Sequence, residues 1–523
     1  MFNFTKIFGV AGAVMVFTGL AYGQAAVSCN TATVSVDQGN VIVRAEGQAE
    51  QVSNVTFTCN NTGAAVANLT VTDNVSAAIT SKALGTTGYT EAVLVAGGVP
   101  VSQGQLNGTN QLTFAVSLAT GLTTFTVTNV RVNASATTGT ITEMLSGITS
   151  SASGPAVITP ITTAPVSVGT PLPGLTNVKL VTSSVPTNLV LCTAYTPAQQ
   201  TGAMSLSFTE GFGDAFKSAG TAGTNGVLAS NFTGNTESGF VPAGAFPTAG
   251  AAAANVANSG TKVKVTFANV PAGVTLYVPL SVPSGQGTLT LVASETSSTP
   301  ATAATGLPLV GTVALTGGAG TAVYEYSTAT LATSISTSES FTIPVTFSVA
   351  ANTVPLNATG FTAAVSLAPV NAAPGTTIPS FVAGTAPAVT GPTFAPCSTT
   401  LLFPYAVNTF GYDTGMAISN TSTGAGATPQ SGTCTLNFYG TGAPASGSAV
   451  TASIASGTTY AQSVSNLAPG FQGYVIATCQ FQYAHGFAFI SSGLGSSAGI
   501  AEGYLALVVP SRTAGTGTET LSQ

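Results

Sequence analysis

The chain has 523 residues and only 5% of them are charged, against roughly 25% in ordinary soluble proteins. Nine Lys/Arg and 15 Asp/Glu leave a net charge of −6. That is too few cations to displace counterions from nucleic-acid phosphates or to clamp an anionic membrane. The acidic residues are too scattered to cage Ca²⁺ and no D-x-[DN]-x-[DN]-G loop occurs, so no cofactor or metal is expected.

What remains is rich in Ala, Gly, Thr, Ser and Val. Thr and Val suit strands, and Gly, Pro, Asn and Ser supply turns. With 44% hydrophobic residues and a mean hydropathy of +0.45, a packed core is favoured over disorder. A chain this long exceeds the ~250–300 residues that one core supports. The fold class expected is all-β, with two to three β-sandwich-like domains in tandem, stapled by disulfides.

Residues 1–23 carry one cation (Lys6) and an apolar run from Ile7 to Leu20. Ala21 and Gly23 then precede a cleavage point before Gln24. This is the pattern of a secretory signal peptide, and the run falls short of the ~20 residues a retained anchor needs. No later segment is apolar for as long, so the mature chain is expected to be secreted, extracellular or on the outer cell surface, with no membrane-spanning segment. In that oxidising compartment six cysteines imply bridges. The pairings expected are Cys29–Cys59, flanking a strand pair, Cys434–Cys479, on two strands of the last domain, and by remainder Cys192–Cys397.

Residues 24–185 form the first expected β domain. TATVSVDQGNVIVRAEG reads as strand, turn at Asp37–Asn40, strand, and NVTFTC, ANLTVTD and LTFAVSLATGLTTFTVTNVRVNA keep the period of two. The domain closes on GPAVITPITTAPVSVGTPLPGLT, expected as a stiff connector. Residues 186–370 form the middle domain. In it SLSFTEGFGDAF ends in a candidate helix, and TKVKVTFANVPAGVTLYVPLSV is expected as a hairpin turning at Pro271-Ala272-Gly273. Its GVTLYVPLSV echoes GLTTFTVTNV of the first domain, which suggests a shared plan. Residues 371–396 are a Pro/Ala/Thr-rich linker. Residues 397–511 are an aromatic-rich β domain, and 512–523 a flexible tail.

Three sets of segments carry a resemblance. In the first domain they are VRAEGQAEQVSNVTFTC, TEAVLVAGG and TVTNVRVNA. In the second they are FTEGFGDAF, ESGF and SGTKVKVTFANVPAGVTLYVP. In the last they are LLFPYAVNTFGYDTGMAISNTS, CTLNFYG, FQGYVIATCQFQYAHGFAFI and GYLALVV. With these the chain resembles a family of uncharacterised secreted β-rich proteins of environmental bacteria. The resemblance implies a secreted, multi-domain β protein and brings over no catalytic residues.

Candidate chemistry is sparse. His485, the sole histidine, lies in FQYAHGFAFI, where one strand face carries Phe481, Tyr483, His485, Phe487 and Phe489 and the other carries small residues. It is expected as a core or half-buried histidine in an aromatic row. A triad can be written with Asp413 and Ser497 of GSSAG, but neither the order nor the strand-turn-helix setting of a nucleophile elbow is present. Glu46 and Glu50, with Arg44, are expected as a surface charge cluster on one strand face. Glu210 and Asp214 would share a helix face with Phe208, Phe212 and Phe216 behind them. Exposed aromatics could stack on glycans: Tyr405, Tyr412, Tyr439 and Tyr474 are the principal candidates, with Phe410 and Phe438, against core placement as the alternative.

Few charges, Thr/Ser-decorated strands and disulfide staples point to a non-catalytic structural or adhesive protein of the cell surface or matrix, able to self-associate. Its partners would be itself or extracellular polysaccharide, and not nucleic acid. A glycan-binding module is the alternative, and a secreted hydrolase the third.

Overall fold

A computed structural model describes residues 27–509. Outside the described residues are the two ends and the inner segments 31–32, 35–40, 64–65, 85–87, 152–156, 163, 182–187, 193, 198–203, 220–236, 238–256, 329–336, 352–359, 385–387, 425–428 and 494–498. The expected signal peptide, the Asp37–Asn40 turn, Ser497 and the tail therefore lie outside them. The fold is all-β: helical pieces among the described residues are short, such as Val464–Leu467 and a 3-10 turn at Ala134–Ala136. Alternation builds it, as in Val55–Asn61 and Met204–Glu210, where every second side chain is buried.

Among the described residues three large cores follow in chain order, with a small cluster of Ala49, Ala257 and Ile378 beside them. The first is enclosed by a 12-stranded sheet that runs from Val27–Cys29 through Val55–Asn61, Gly121–Thr128 and Ala67–Val75 to Ile141–Ser151 and Val166–Leu172. It ends on Val41–Arg44, which pairs parallel to Val166–Leu172. The sheet curls on itself, so that Thr33–Val34 lies against Val166–Leu172. The segment expected as a stiff connector is part of this sheet, as strands Val157–Thr162 and Val166–Leu172. Two residues later the chain changes sheets: Leu175–Val181 pairs with Met204–Glu210.

The middle unit packs a five-stranded sheet (Leu175–Val181, Met204–Glu210, Ser340–Ser348, Thr275–Pro279, Val310–Thr312) on an eight-stranded one centred on Lys262–Ala268. Lys262–Ala268 pairs with Ala319–Thr328 and Thr362–Ala368, whereas Thr275–Pro279 pairs in the opposite sheet. The expected hairpin around Pro271 is thus an arch crossing the core, since Val263, Val265, Leu276 and Val278 all face the same interior. The expected helix at Glu210–Phe216 is also replaced. The strand ends at Glu210 and Asp214 takes a positive φ of 64°, so Phe208 enters the core from the strand, and Phe212 and Phe216 enter it from the turn that follows.

Residues 371–396 do not behave as a free linker. Ile378 and Phe381 are fully buried, Gly47 of the first unit bridges to Phe381, and Thr393–Pro396 pairs in parallel with Asn188–Leu191. Proline there interrupts strands without preventing the flanking apolar side chains from packing. The disulfides pair Cys29 with Cys59 and Cys434 with Cys479, each directly opposite across two strands, and Cys192 with Cys397 just beyond the parallel pair.

The last module stacks a five-stranded sheet (Ser448–Val450, Cys434–Thr441, Gln472–Cys479, Thr399–Val407, Leu507–Val509) on a four-stranded one (Thr459–Ser463, Asp413–Asn420, Ala484–Ser491, Ala501–Leu505).

Candidate functional site

One end of the last module gathers exposed aromatic rings. Tyr439 and Tyr474 are directly opposite on neighbouring strands, their side chains point to solvent, and their rings stack at 5.0 Å and 14°. Tyr405 lies on the next strand, where the register slips between Phe403 and Ala406 and so turns Tyr405 outward. Its phenol accepts from Gln472 Nε2 at 3.2 Å, and its carbonyl accepts from the Tyr504 hydroxyl. Phe438, next to Tyr439 in sequence, alternates inward onto Phe471, so as a ligand candidate it is corrected to a core residue.

The loop that leaves Thr399–Val407 adds Phe410 and Tyr412. The Tyr412 amide donates to the Thr409 carbonyl at 3.0 Å, closing a turn whose central residues Phe410 and Gly411 have φ of 58° and 82°. Positive φ at both positions is the pattern of a type I′ turn, which Asn-Gly satisfies and a bulky side chain opposes. Phe410 is 85% exposed at the tip of that turn. The loop is tied to the sheet by Asn408, whose amide donates to the Phe471 carbonyl and whose Oδ1 accepts from the Gly470 amide. The four candidate tyrosines are 42–45% exposed.

Charge is absent from this surface. From Cys397 to Val509 the sequence has no Lys or Arg, and its only acids are Asp413 and Glu502. Asp413 is engaged, accepting from the Thr414 amide and from the amide and hydroxyl of Ser465. Such a face offers flat rings, hydroxyls and amides, and no ion pair. It is chemically suited to stacking on the C–H face of a neutral ligand.

His485 falls elsewhere, and its setting corrects the sequence expectation. In Ala484–Ser491 the small set Ala484, Gly486 and Ala488 is buried, while His485, Phe487 and Phe489 are exposed. The cause is volume. A Cβ on Gly486 would stand 2.6 Å from Phe403 Cζ, so the facing sheet already fills the interior and leaves room only for small residues. His485 pairs opposite Ser419, and Asp413 opposite Ser491, which separates the two by six residues or roughly 20 Å along the strands. The written triad is not brought together.

The cluster around Glu50 was also expected differently. Arg44 and Glu50 are not a surface pair: they are 0% and 1% exposed, joined at 2.8 Å, and sealed between the first and middle units. Arg44 Nη2 also meets Glu237 at 2.6 Å, Nη1 donates to Thr261 and to the Ala215 carbonyl, and the guanidinium lies 4.8 Å over the Phe381 ring. Glu46 and Glu50 do not share a strand face, because the strand ends at Arg44 and Glu46 turns away to accept from the Gly174 amide. Arg131 pairs with Glu91 at 3.0 Å and donates to the Glu237 carbonyl. Burial opposes the charge on Glu237, and Arg44, Lys217 and Arg131 outweigh it, holding that carboxyl below its ordinary range.

Two more acids sit inside the first core. Asp73 lies between Leu112 and Leu145 on adjacent strands, with Glu143 two residues along on the same face. Among the described residues, no oxygen of either carboxyl has a hydrogen-bond partner. Burial pushes Asp73 up to about 7, and burial plus the Asp73 charge pushes Glu143 well up. Glu210 is likewise lifted to about 8, by burial and then by Glu339 and Asp214, against the amides of Glu339 and Phe216 that favour its charge. The sequence did contain a signal for the first two. Asp73 is in phase with Leu69 and Val71, and Glu143 with Ile141 and Leu145.

No protein-family model matches the chain, and no curated protein matches it. Among solved structures it is similar to the crystal structure of the CupB6 tip adhesin from Pseudomonas aeruginosa. That likeness has 9% identity and a TM-score of 0.16, and covers 71% of this chain and 99% of that one. At such a score it supports no argument about function.

Proposed function

We propose that this is a secreted, non-catalytic adhesive protein of the cell surface or extracellular matrix, whose last module holds neutral polysaccharide through its aromatic end. One observation carries the proposal. Tyr405, Phe410, Tyr412, Tyr439 and Tyr474 stay 42–85% exposed at one end of a module without a single Lys or Arg. Exposed rings on this scale lose solvation free energy that a soluble protein normally avoids, and Phe410 adds backbone strain. Sugar C–H faces recover the first, and hydroxyls find Gln472 and the phenols. Three disulfides with no free cysteine among the described residues support an oxidising, extracellular setting.

The test is retention of the mature protein on insoluble neutral polysaccharides. Retention is expected for the full chain and should fall about tenfold in Tyr439→Ala/Tyr474→Ala, since each ring contributes about 0.5–1.5 kcal/mol. Equal retention by that variant would remove the proposal.

A further inference from the structure

The opposite outer face of the last module presents a second surface with different chemistry. It belongs to the four-stranded sheet, and it is apolar where the first is phenolic. Phe487 and Phe489 are 43% and 37% exposed, and Leu505, paired opposite Phe487, is 61% exposed. On the other flank of the two phenylalanines the outward positions are small. Ala417 pairs opposite Phe487, Gly415 opposite Phe489, and Ala461 lies beyond Ala417 on the edge strand.

The ridge is fixed in place. A Cβ at Gly503 would lie 2.5 Å from Phe487 Cζ, so this ring leans over the glycine, toward the Leu505 strand and away from the small residues. The face is therefore a raised apolar ridge beside a shallow shelf of small residues. In the shelf Gly415, Ala417 and Ala461 are flanked by the hydroxyls of Ser419, Thr459 and Ser463, and His485 stands at one end of the ridge. A two-fold axis lying in the plane of the contact and parallel to the strands, between Asp413–Asn420 and Ala484–Ser491, sets the ridge of one copy on the shelf of the other, which is the self-complementarity an isologous contact requires.

We infer that this sheet face is a homodimer contact, occupied by a second copy of the same chain. Charge favours that occupant over an acidic partner. The module has no Lys or Arg between 397 and 509, so two copies meet with only Asp413 and Glu502 to repel each other, and nothing selects an acidic ligand. Size agrees with a weak pair. Four strands about 4.8 Å apart, of five, eight, eight and five residues at ~3.3 Å each, give roughly 400 Å² per copy. The total of about 800 Å² is that of a weak, transient contact. The contact lies on the other sheet from the aromatic end, so it does not depend on polysaccharide binding. With both, one molecule would hold a glycan and a sister molecule at once, and avidity would multiply the adhesion.

Sedimentation velocity of the mature full chain, from low to high micromolar concentration, tests the contact. The wild type is expected to move from monomer toward twice the monomer mass. Phe487→Ser/Phe489→Ser should remain monomeric. Ala461→Lys, which leaves both rings intact and places a cation on the exposed edge strand, should also remain monomeric while keeping the wild-type circular dichroism spectrum. Tyr439→Ala should dimerise as wild type does. A wild type that stays monomeric throughout overturns the inference, as does undiminished association of the two face variants. Loss of association in Tyr439→Ala alone would move the contact to the aromatic end and overturn it equally.

Discussion

Phe410 is the residue whose backbone and side chain conflict most openly. Its turn has positive φ at both centres, where Asn-Gly is favoured, and a bulky residue there costs about 1–3 kcal/mol. Phe410→Asn is expected to raise the stability of the last module by about 1 kcal/mol in chemical denaturation, and to weaken polysaccharide retention. A loss of stability would mean the ring is held by packing, against its 85% exposure. Asp73 stores the opposite kind of tension. Unfolded, it gives up its proton near pH 4; folded, at about 7. The folded chain therefore holds an extra proton between those values, and its advantage is full below about pH 4 and lost as pH rises toward 7. Glu143 acts in the same sense. Asp73→Asn should flatten the stability profile of the first unit across that window, and an unaltered profile would contradict the burial of an uncompensated carboxyl.

Strands show what a sequence states and what it withholds. Period two separates the two faces of FQYAHGFAFI only from Ala484 on. The strand starts there, and Phe481, expected beside His485, is buried in the core across the positive φ of Tyr483. The identity of the inner face depends on the sheet opposite. Phe403 and Leu401 of Thr399–Val407 fill the interior, so Gly486 goes in and Phe487 goes out. Nothing local to either segment encodes that division of volume. Asp73 and Glu143 were legible, because each stands in the apolar phase of its strand. Phe410 was half legible: it stood among the aromatics that could be exposed, with core placement as the alternative, while its φ depends on register. Glu237 was not legible, since it lies in a Gly/Ala/Asn-rich stretch and its partner Arg44 is 193 residues away. At this scale the Cys192–Cys397 bridge anchors the short parallel pair Asn188–Leu191 and Thr393–Pro396. It closes a loop of 205 residues, for which chain entropy gives about 5 kcal/mol. Cys192→Ser/Cys397→Ser should destabilise the middle unit by up to that amount in urea; a midpoint equal to wild type would contradict it.

For the whole molecule, the sealed ion network joins the first and middle units, while the last module carries the exposed surfaces. Arg44 lies between Glu50 and Glu237 out of water, and Lys217 and Arg131 share Glu237, so removing Arg44 strands Glu50 and weakens the hold on Glu237. Arg44→Met is expected to cost about 3–5 kcal/mol and to loosen both units together, read as a shared downward shift of their unfolding transitions. A shift confined to the first unit would show that the network does not join them. Joined in this way, the two units form a firm base for a module that offers phenolic rings at one end and an apolar ridge on the sheet opposite. Adhesion is the use that such an arrangement serves best, and it stands or falls on the aromatic end. The most direct measurement is a polysaccharide binding isotherm for the mature full chain beside Tyr439→Ala/Tyr474→Ala. Saturable binding that weakens about tenfold in the variant is expected; no saturable binding by the wild type, or equal binding by both, would contradict the account.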